Sequence, residues 1–169
     1  MDLLNLISKR RSVREFKTDE IEQEKIDYII ECARLAPSAV NYQPWKFLIV
    51  KSHEKKELLR QCYHREWFAY APLYIIALED TTRSWKRKSD NKDHGEIDVA
   101  IACEHIVLAV EEKGLGTCWV CNFNTFLLKE VFNLPDHLVP VALLPIGYPA
   151  KEQESVSDRK QMQDIVDIL

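Results

Sequence analysis

The chain has 169 residues, of which 46% are hydrophobic and 30% charged, a balance typical of a soluble globular domain with its own core. Its net charge of −4 at pH 7 argues against a general nucleic-acid-binding protein. No apolar run approaches the roughly 18 residues that a membrane-spanning helix needs, and the N-terminus carries no signal-peptide pattern. The 5 cysteines, an odd number without regular spacing, favour a reducing cytoplasm over secretion.

Two helices are predicted in the first forty residues. Leu3, Leu6 and Ile7 fall on one helical face, and Asp2 precedes them as a candidate N-cap. Residues 19–22 resemble a capping box at the start of the second helix. That helix carries one stripe of apolar residues, which we expect to be buried. The stripe consists of Ile26, Ile29, Ile30 and Ala33.

A basic turn separates these helices. Arg10, Arg11, Ser12 and Arg14 lie within five residues of one another. Arginine presents a planar fork of donors and stays charged, so this cluster suits a phosphate group. The same composition is also typical of a solvated basic turn, and the residues alone leave both interpretations open.

A polar loop follows the second helix. Pro37 and Pro44 bracket it, and proline disfavours helix in the residue that precedes it. Ser38, Asn41 and Gln43 supply a hydroxyl and two amides, which suit the hydrogen-bonding edge of a flat heterocycle. The alternative is an ordinary helix-to-strand connection whose polar residues only cap and turn.

The remaining chain alternates between apolar strands and helices. Strands are predicted at 45–50, 73–78, 117–121 and 138–146, and helices at 53–63, 96–113 and 125–132. Ser52 is the candidate cap of the first of these helices, and Asn124 or Thr125 that of the last. The first strand is nearly all apolar, which predicts burial on both faces. Pro140 and Pro145 favour an edge or bulged position for the last strand. The pattern predicts an α+β domain built around one sheet.

The C-terminus combines a polar run with a short apolar segment. We expect one domain over residues 1–169, with residues 150–169 as an arm that packs on a partner subunit. Cys118 and Cys121 form a Cys-x-x-Cys pair, but a strand would point them to opposite faces, and a zinc site would need further ligands. No metal site is predicted.

Three motifs occur together: Arg-Arg-Ser-Val-Arg-Glu-Phe at 10–16, Ala-Pro-Ser-Ala-Val-Asn-Tyr-Gln-Pro-Trp at 36–45, and Gly-Leu-Gly-Thr-Cys-Trp at 114–119. In this order and spacing they resemble the FMN-dependent nitroreductase family of the small bacterial kind. The resemblance covers residues 1 to about 160. It implies a mostly antiparallel sheet flanked by helices, in an intertwined homodimer with FMN at the subunit interface.

The resemblance also assigns cofactor-binding residues in three groups. The phosphate and ribityl chain are assigned to Arg10, Arg11, Ser12, Arg14 and, near the C-terminus, Arg159 as the residues that bind them. The loop that meets the flavin from the other subunit contains Pro37, Ser38, Ala39, Asn41 and Gln43. The strand along the isoalloxazine contains Cys118, Trp119, Val120 and Cys121. Many relatives carry glycine just after that strand, where this chain has Cys121 and Asn122.

The implied activity is a two-step oxidoreductase without a catalytic side chain. NADH or NADPH reduces the flavin, and a small acceptor such as a nitroaromatic or quinone then takes the electrons. The expected partners are a second copy of the chain, the nicotinamide and the acceptor, with neither nucleic acid nor membrane. One alternative is a flavin-binding protein that senses or stores the cofactor without turnover. Another is a thiol-redox protein that uses Cys118 and Cys121.

Overall fold

The computed structural model describes residues 2–151 and 158–169, and in these ranges the chain forms five α-helices and four β-strands. The helices are α1 Leu3–Lys9, α2 Gln23–Arg34, α3 His53–Cys62, α4 Gly95–Glu112 and α5 Thr125–Val131. The strands are β1 Trp45–Val50, β2 Leu73–Asp80, β3 Gly116–Thr117 and β4 Leu138–Gly147. The α+β class predicted from the sequence is confirmed.

The four strands form one antiparallel sheet in the order β1-β2-β4-β3. The prediction of an edge position for β4 is wrong, because β4 pairs with β2 on one side and β3 on the other. Its bulge is confirmed: Ala77 pairs with Ala142, whereas Leu78 pairs with Pro140. The extra residue is Val141, so the ladder absorbs the proline by a local irregularity.

Strand β1 lies at one end of the sheet, and its predicted burial on both faces is wrong. Lys46 and Ile49 are exposed, with Ile49 at 41% exposure. Strand β2 lies next to it and is buried from Leu73 to Leu78. An apolar run therefore predicted the strand correctly in both cases, but burial depends on the position in the sheet.

Apolar residues cover both faces of the sheet. Alternate residues of β2 point to opposite sides, so Ile75 packs with α2 and α4 whereas Ile76 packs with α3 and α5. Helix α4 is apolar over most of its girth and carries nine buried residues. It forms the core of one side, and α2 packs on it.

Side-chain caps fix the starts of three helices. Asp2 and Ser52 accept hydrogen bonds from the first turns of α1 and α3, as predicted. Of the two candidates for α5, Asn124 is the cap. The capping box at 19–22 is wrong, because α2 starts at Gln23 and Glu22 makes no side-chain cap bond.

The C-terminal residues 158–169 are exposed throughout. Five apolar side chains in this segment are more than half exposed: Met162, Ile165, Val166, Ile168 and Leu169. Helix α1 also exposes Leu3, Leu4 and Ile7. Among the described residues, no helix combines the length and apolar character that crossing a membrane requires.

Candidate functional site

The basic segment lies against β3. Ser12 and Thr117 form a parallel bridge, and the Val13 backbone N–H donates to the Thr117 carbonyl oxygen at 2.9 Å. A Cβ on Gly116 would lie 2.5 Å from Cγ2 of Val13, so only glycine permits this approach. Two motifs that are far apart in the sequence thus become neighbours in the fold.

The same segment is also tied to the end of the domain. The Lys17 N–H donates to the Tyr148 oxygen at 2.8 Å, and the Ala150 N–H donates to the Glu15 oxygen at 2.9 Å. Phe16 and Pro149 form an antiparallel bridge between these bonds. Residues 12–17 are therefore held as an extended ribbon between β3 and the chain that leaves β4.

The ribbon and the turn before it carry the predicted arginine cluster. Arg10 and Arg11 lie near Glu111 of α4, where their charges oppose the burial that raises the pKa of Glu111. Arg11 Nη1 donates to the carbonyl oxygen of Ser8 at 2.7 Å. The Arg14 guanidinium stands 5.8 Å from the ring centroid of Trp67, a cation–π contact. The cluster is thus positioned by α4 and by aromatic packing.

Strand β3 is shorter than predicted. It ends at Thr117, and from there to Cys121 only Val120 returns to the sheet, through paired hydrogen bonds with Leu143 at 3.0 and 2.9 Å. The predicted strand at 117–121 is therefore wrong in its extent. Cys118 is buried, Trp119 half-buried and Cys121 exposed, so the chain reaches the protein surface at the end of this stretch.

The two cysteines of this stretch have different environments. Cys118 is buried, and burial raises the pKa of its thiol, although the charge of Arg14 opposes that effect. Cys121 is exposed, and its Sγ lies 3.1 Å from Nε1 of Trp119. A reactive dithiol needs an accessible thiol with a lowered pKa, so this geometry does not favour a redox pair.

The polar loop between α2 and β1 is ordered by its own side chains. Ser38 Oγ accepts from the Gln43 N–H at 2.9 Å, and Gln43 Nε2 donates to Asn41 Oδ1 at 3.1 Å. Val40, Asn41 and Gln43 have φ angles of 53°, 54° and 51°. This left-handed region is unfavourable for a β-branched residue such as Val40. Strain of this kind concentrates at binding sites.

Asp98 fixes this loop to α4, and sequence reasoning missed it. Its Oδ1 accepts from the Ala39 N–H at 2.9 Å. Asp98 is 3% exposed, and its Oδ2 is buried without a hydrogen-bond partner in the described residues. A signal was present: one carboxylate between Ile97 and Val99, in the first turn of an apolar helix, needs a partner.

Within one chain, the predicted residues form two separate groups. Residues 10–14 and 116–121 come together, whereas the hydrogen bonds of the 38–43 loop run to Asp98 and to the loop itself. Arg159 lies in the exposed tail, where its Nη1 donates to the Asp158 oxygen at 3.0 Å. The assignment of all three groups to one cofactor remains a prediction, and it requires a second copy of the chain.

Both groups have features that suit a flavin mononucleotide. The arginines offer charge for a phosphate, and Thr117 Oγ1 beside them is buried without a partner in the part of the chain that the structure describes. The loop offers amides and a strained backbone for the edge of a flat ring. Across residues 2–151 and 158–169, no cluster of three or more His, Cys, Asp or Glu is arranged to hold a metal ion.

Similarity to known proteins identifies the family. The sequence profile of the Nitroreductase family matches residues 7–67 and 55–148. A protein from Methanothermobacter thermautotrophicus, provisionally named NADH dehydrogenase/NAD(P)H nitroreductase, is 31% identical over 161 residues. That alignment covers 89% of this chain and 79% of the relative.

Solved structures agree with this assignment. A nitroreductase family protein from Clostridium difficile 630 superposes with a TM-score of 0.93 at 32% identity, covering 99% of this chain and 98% of that one. An FMN-dependent nitroreductase from Clostridium difficile R20291 gives 0.84 at 29% identity, with 98% of each chain covered. Oxidized iodotyrosine deiodinase bound to FMN and 3-iodo-L-tyrosine gives 0.81 at 26% identity, covering 95% and 97%. The chain belongs to the Nitroreductase family.

Proposed function

We propose that this protein is an FMN-dependent oxidoreductase that takes electrons from NADH or NADPH and passes them to a small acceptor. The observation that carries the proposal is the pairing of Ser12 and Val13 with Thr117, which joins the arginine cluster to the chain that follows β3. The family assignment and the FMN named for two similar structures support the choice of cofactor. A nitroaromatic or a quinone is the proposed class of acceptor.

The side chains of the ribbon and of the turn before it bind the cofactor. Arg10, Arg11 and Arg14 supply positive charge for the phosphate, and the Ser12 hydroxyl supplies a further donor. Bound FMN supplies the hydride acceptance and donation, while the chain fixes its orientation. The backbone at residues 118–121 lies along the ring, where Cys121 replaces the smaller residue that many relatives carry. The deeply buried Cys118 takes no part in proton transfer.

The remaining predicted residues act from the second copy of a homodimer. The loop containing Ser38, Asn41 and Gln43 meets the flavin edge from the partner. The exposed apolar side chains of α1 and of the tail support such an assembly, because isolated apolar patches of this kind mark interaction surfaces. Arg159 then reaches the phosphate from the arm. The 5 free cysteines fit a cytoplasmic location.

The visible spectrum of the purified protein tests the cofactor and the reductant together. We expect a yellow protein whose absorption bleaches when NADH or NADPH is added without oxygen, and recovers when a nitroaromatic or quinone follows. A colourless protein that fails to bind added FMN contradicts the cofactor proposal. Bound flavin that neither nicotinamide reduces favours a sensor or storage protein instead.

A variant pair tests the phosphate site. Arg14→Ala is expected to weaken FMN binding by about tenfold or more, as the loss of a charge-assisted hydrogen bond predicts. Arg83→Ala removes an equal charge from an exposed loop and is expected to leave FMN affinity unchanged. Equal affinities for both variants would count against the assigned role of the ribbon.

Assaying 3-iodo-L-tyrosine beside the nitroaromatic and quinone distinguishes acceptor classes. The similar deiodinase structure motivates its inclusion. Faster reoxidation of the reduced protein by 3-iodo-L-tyrosine than by either other acceptor would reassign the acceptor while leaving the FMN chemistry intact.

A further inference from the structure

A second basic site lies apart from the arginine ribbon. A cavity of about 360 Å³ opens where β1 ends and β2 begins. Lys51 follows β1, Lys56 and Arg60 come from α3, and Leu73 from β2 forms part of the floor. Thr18 and Tyr70 add hydroxyl groups at the rim. None of these residues belongs to the proposed FMN site.

The charges around this cavity are unbalanced. Lys56 and Arg60 are one helical turn apart, so both project from the same face of α3. Lys51 adds a third cation, and the neighbouring carboxylates are Glu20 in the lining and Glu57, which pairs with Arg60. The whole chain has a net charge of −4, so a local excess of positive charge is not a general property of its surface.

Two nitrogens of the Arg60 guanidinium have partners, whereas the third has none in the part of the chain that the structure describes. Its Nη1 pairs with Glu57, and its Nη2 donates to the carbonyl oxygen of Ala69. Its Nε is buried and has no acceptor among the described residues. The buried Nε is enclosed by the protein, so Arg60 acts on the cavity through its positive charge, which Glu57 partly offsets.

Lys56 lacks a counterion in the same cavity. It forms no ion pair with any residue in the described ranges, and Glu20 influences it only through a weaker long-range attraction. Burial and the charge of Arg60 lower its pKa. An anion in the cavity would relieve this repulsion.

We propose that this cavity binds a phosphate group, either free inorganic phosphate or the 2′-phosphate of NADPH. A tetrahedral dianion accepts hydrogen bonds from several directions, which matches two lysines, one guanidinium and two hydroxyls around one space. The cavity lining shares no residue with the proposed FMN site, and its first residue, Thr18, follows Arg14 by four positions. The coenzyme alternative rests on the proposed function, whereas the free-phosphate alternative does not.

Calorimetric titration of the FMN-loaded protein with inorganic phosphate tests the site, because bound FMN occupies the other phosphate position. We expect saturable binding that weakens about tenfold or more in Lys56→Gln. Lys55→Gln is the matched control, since it removes the same charge from the next residue of α3 but does not line this cavity. At alkaline pH, proton uptake on binding, measured from heats in two buffers, should be lost in Lys56→Gln alone.

Adenosine 2′-monophosphate and adenosine identify the source of the phosphate. Tighter binding of the nucleotide than of inorganic phosphate, with no binding of adenosine, assigns the site to NADPH. Binding of inorganic phosphate that is at least as tight assigns it to the free ion. Absence of saturable phosphate binding, or an equal loss in the Lys55 and Lys56 variants, overturns the proposal. A protein that still bleaches with NADH in that case retains its proposed function.

Discussion

Replacement of Glu79 by glutamine should make the protein less sensitive to alkaline pH. Glu79 lies on β2 and is 8% exposed, with its carboxyl group against Gly95 at the start of α4. Burial, followed by the neighbouring carboxylates of Asp93 and Glu96, raises the pKa of Glu79 from 4.5 to about 7, while Lys86 opposes the shift. The fold therefore favours the neutral form of this side chain.

The sign and size of the effect follow from proton linkage. Between pH 4.5 and about 7 the native state binds more protons at Glu79 than the unfolded chain does, so stability falls as the pH rises through this window. Above pH 7, the difference between the two pKa values lowers the free energy of unfolding by at most about 3 kcal/mol. Glutamine keeps the shape and a hydrogen-bonding group but carries no charge, so the variant escapes this loss.

Urea unfolding from pH 5 to pH 8 measures the effect, with protein and FMN concentrations held constant because binding and assembly also shift stability. We expect Glu79→Gln and the wild type to differ little at pH 5, and the variant to be more stable at pH 8 by up to about 3 kcal/mol. For a chain of this length that corresponds to roughly 6–12 °C in melting temperature. Glu130→Gln, an exposed replacement on α5, is the control. Parallel stability curves for the wild type and Glu79→Gln would refute the reasoning.

Three further replacements test individual contacts by denaturant unfolding and FMN titration. Gly116→Ala places a methyl group against Val13, so we expect a loss of about 1–3 kcal/mol together with weaker FMN binding, and an unchanged stability would mean that the ribbon does not pack on β3. Asn124→Ala removes the side-chain cap of α5 and should cost about 1 kcal/mol without affecting FMN. Asp98→Ala deprives the Ala39 N–H of its acceptor and should cost about 1.5–3 kcal/mol, with a larger effect on FMN affinity than Asn124→Ala.

The sequence predicted features that depend on neighbouring residues. The caps at Asp2, Ser52 and Asn124 were found because a side chain and the first turn of its helix are close in the sequence. The strand Trp45–Val50 was found with its exact bounds from a continuous apolar run between a proline loop and a cap. The exposure of this strand was not predicted, because an apolar run does not reveal which strand lies at the edge of the sheet.

The features that escaped prediction depend on pairs of distant residues. The sequence places Asp98 in a helix but does not show that Ala39 contacts it. It places Glu79 at the end of a strand but does not show that Gly95 of α4 packs against it. Likewise, the sequence does not reveal that Thr117 has Ser12 on one side and Ile146 of β4 on the other. The motifs therefore indicated which residues to examine, whereas their grouping required the three-dimensional structure.

The ribbon described above also determines when the cofactor site can exist during synthesis. Residues 12–17 emerge early from the ribosome, whereas their partners Thr117, Tyr148 and Ala150 emerge late. Contacts between such distant parts of the chain form late, because the intervening loop must first be closed. A nascent chain that stops before β4 has the arginines and Thr117, but it lacks the strand that pairs with β3 and the residues 148 and 150 that bind the ribbon. FMN binding is therefore expected only after release of the nearly complete chain, and it then stabilises the fully folded domain.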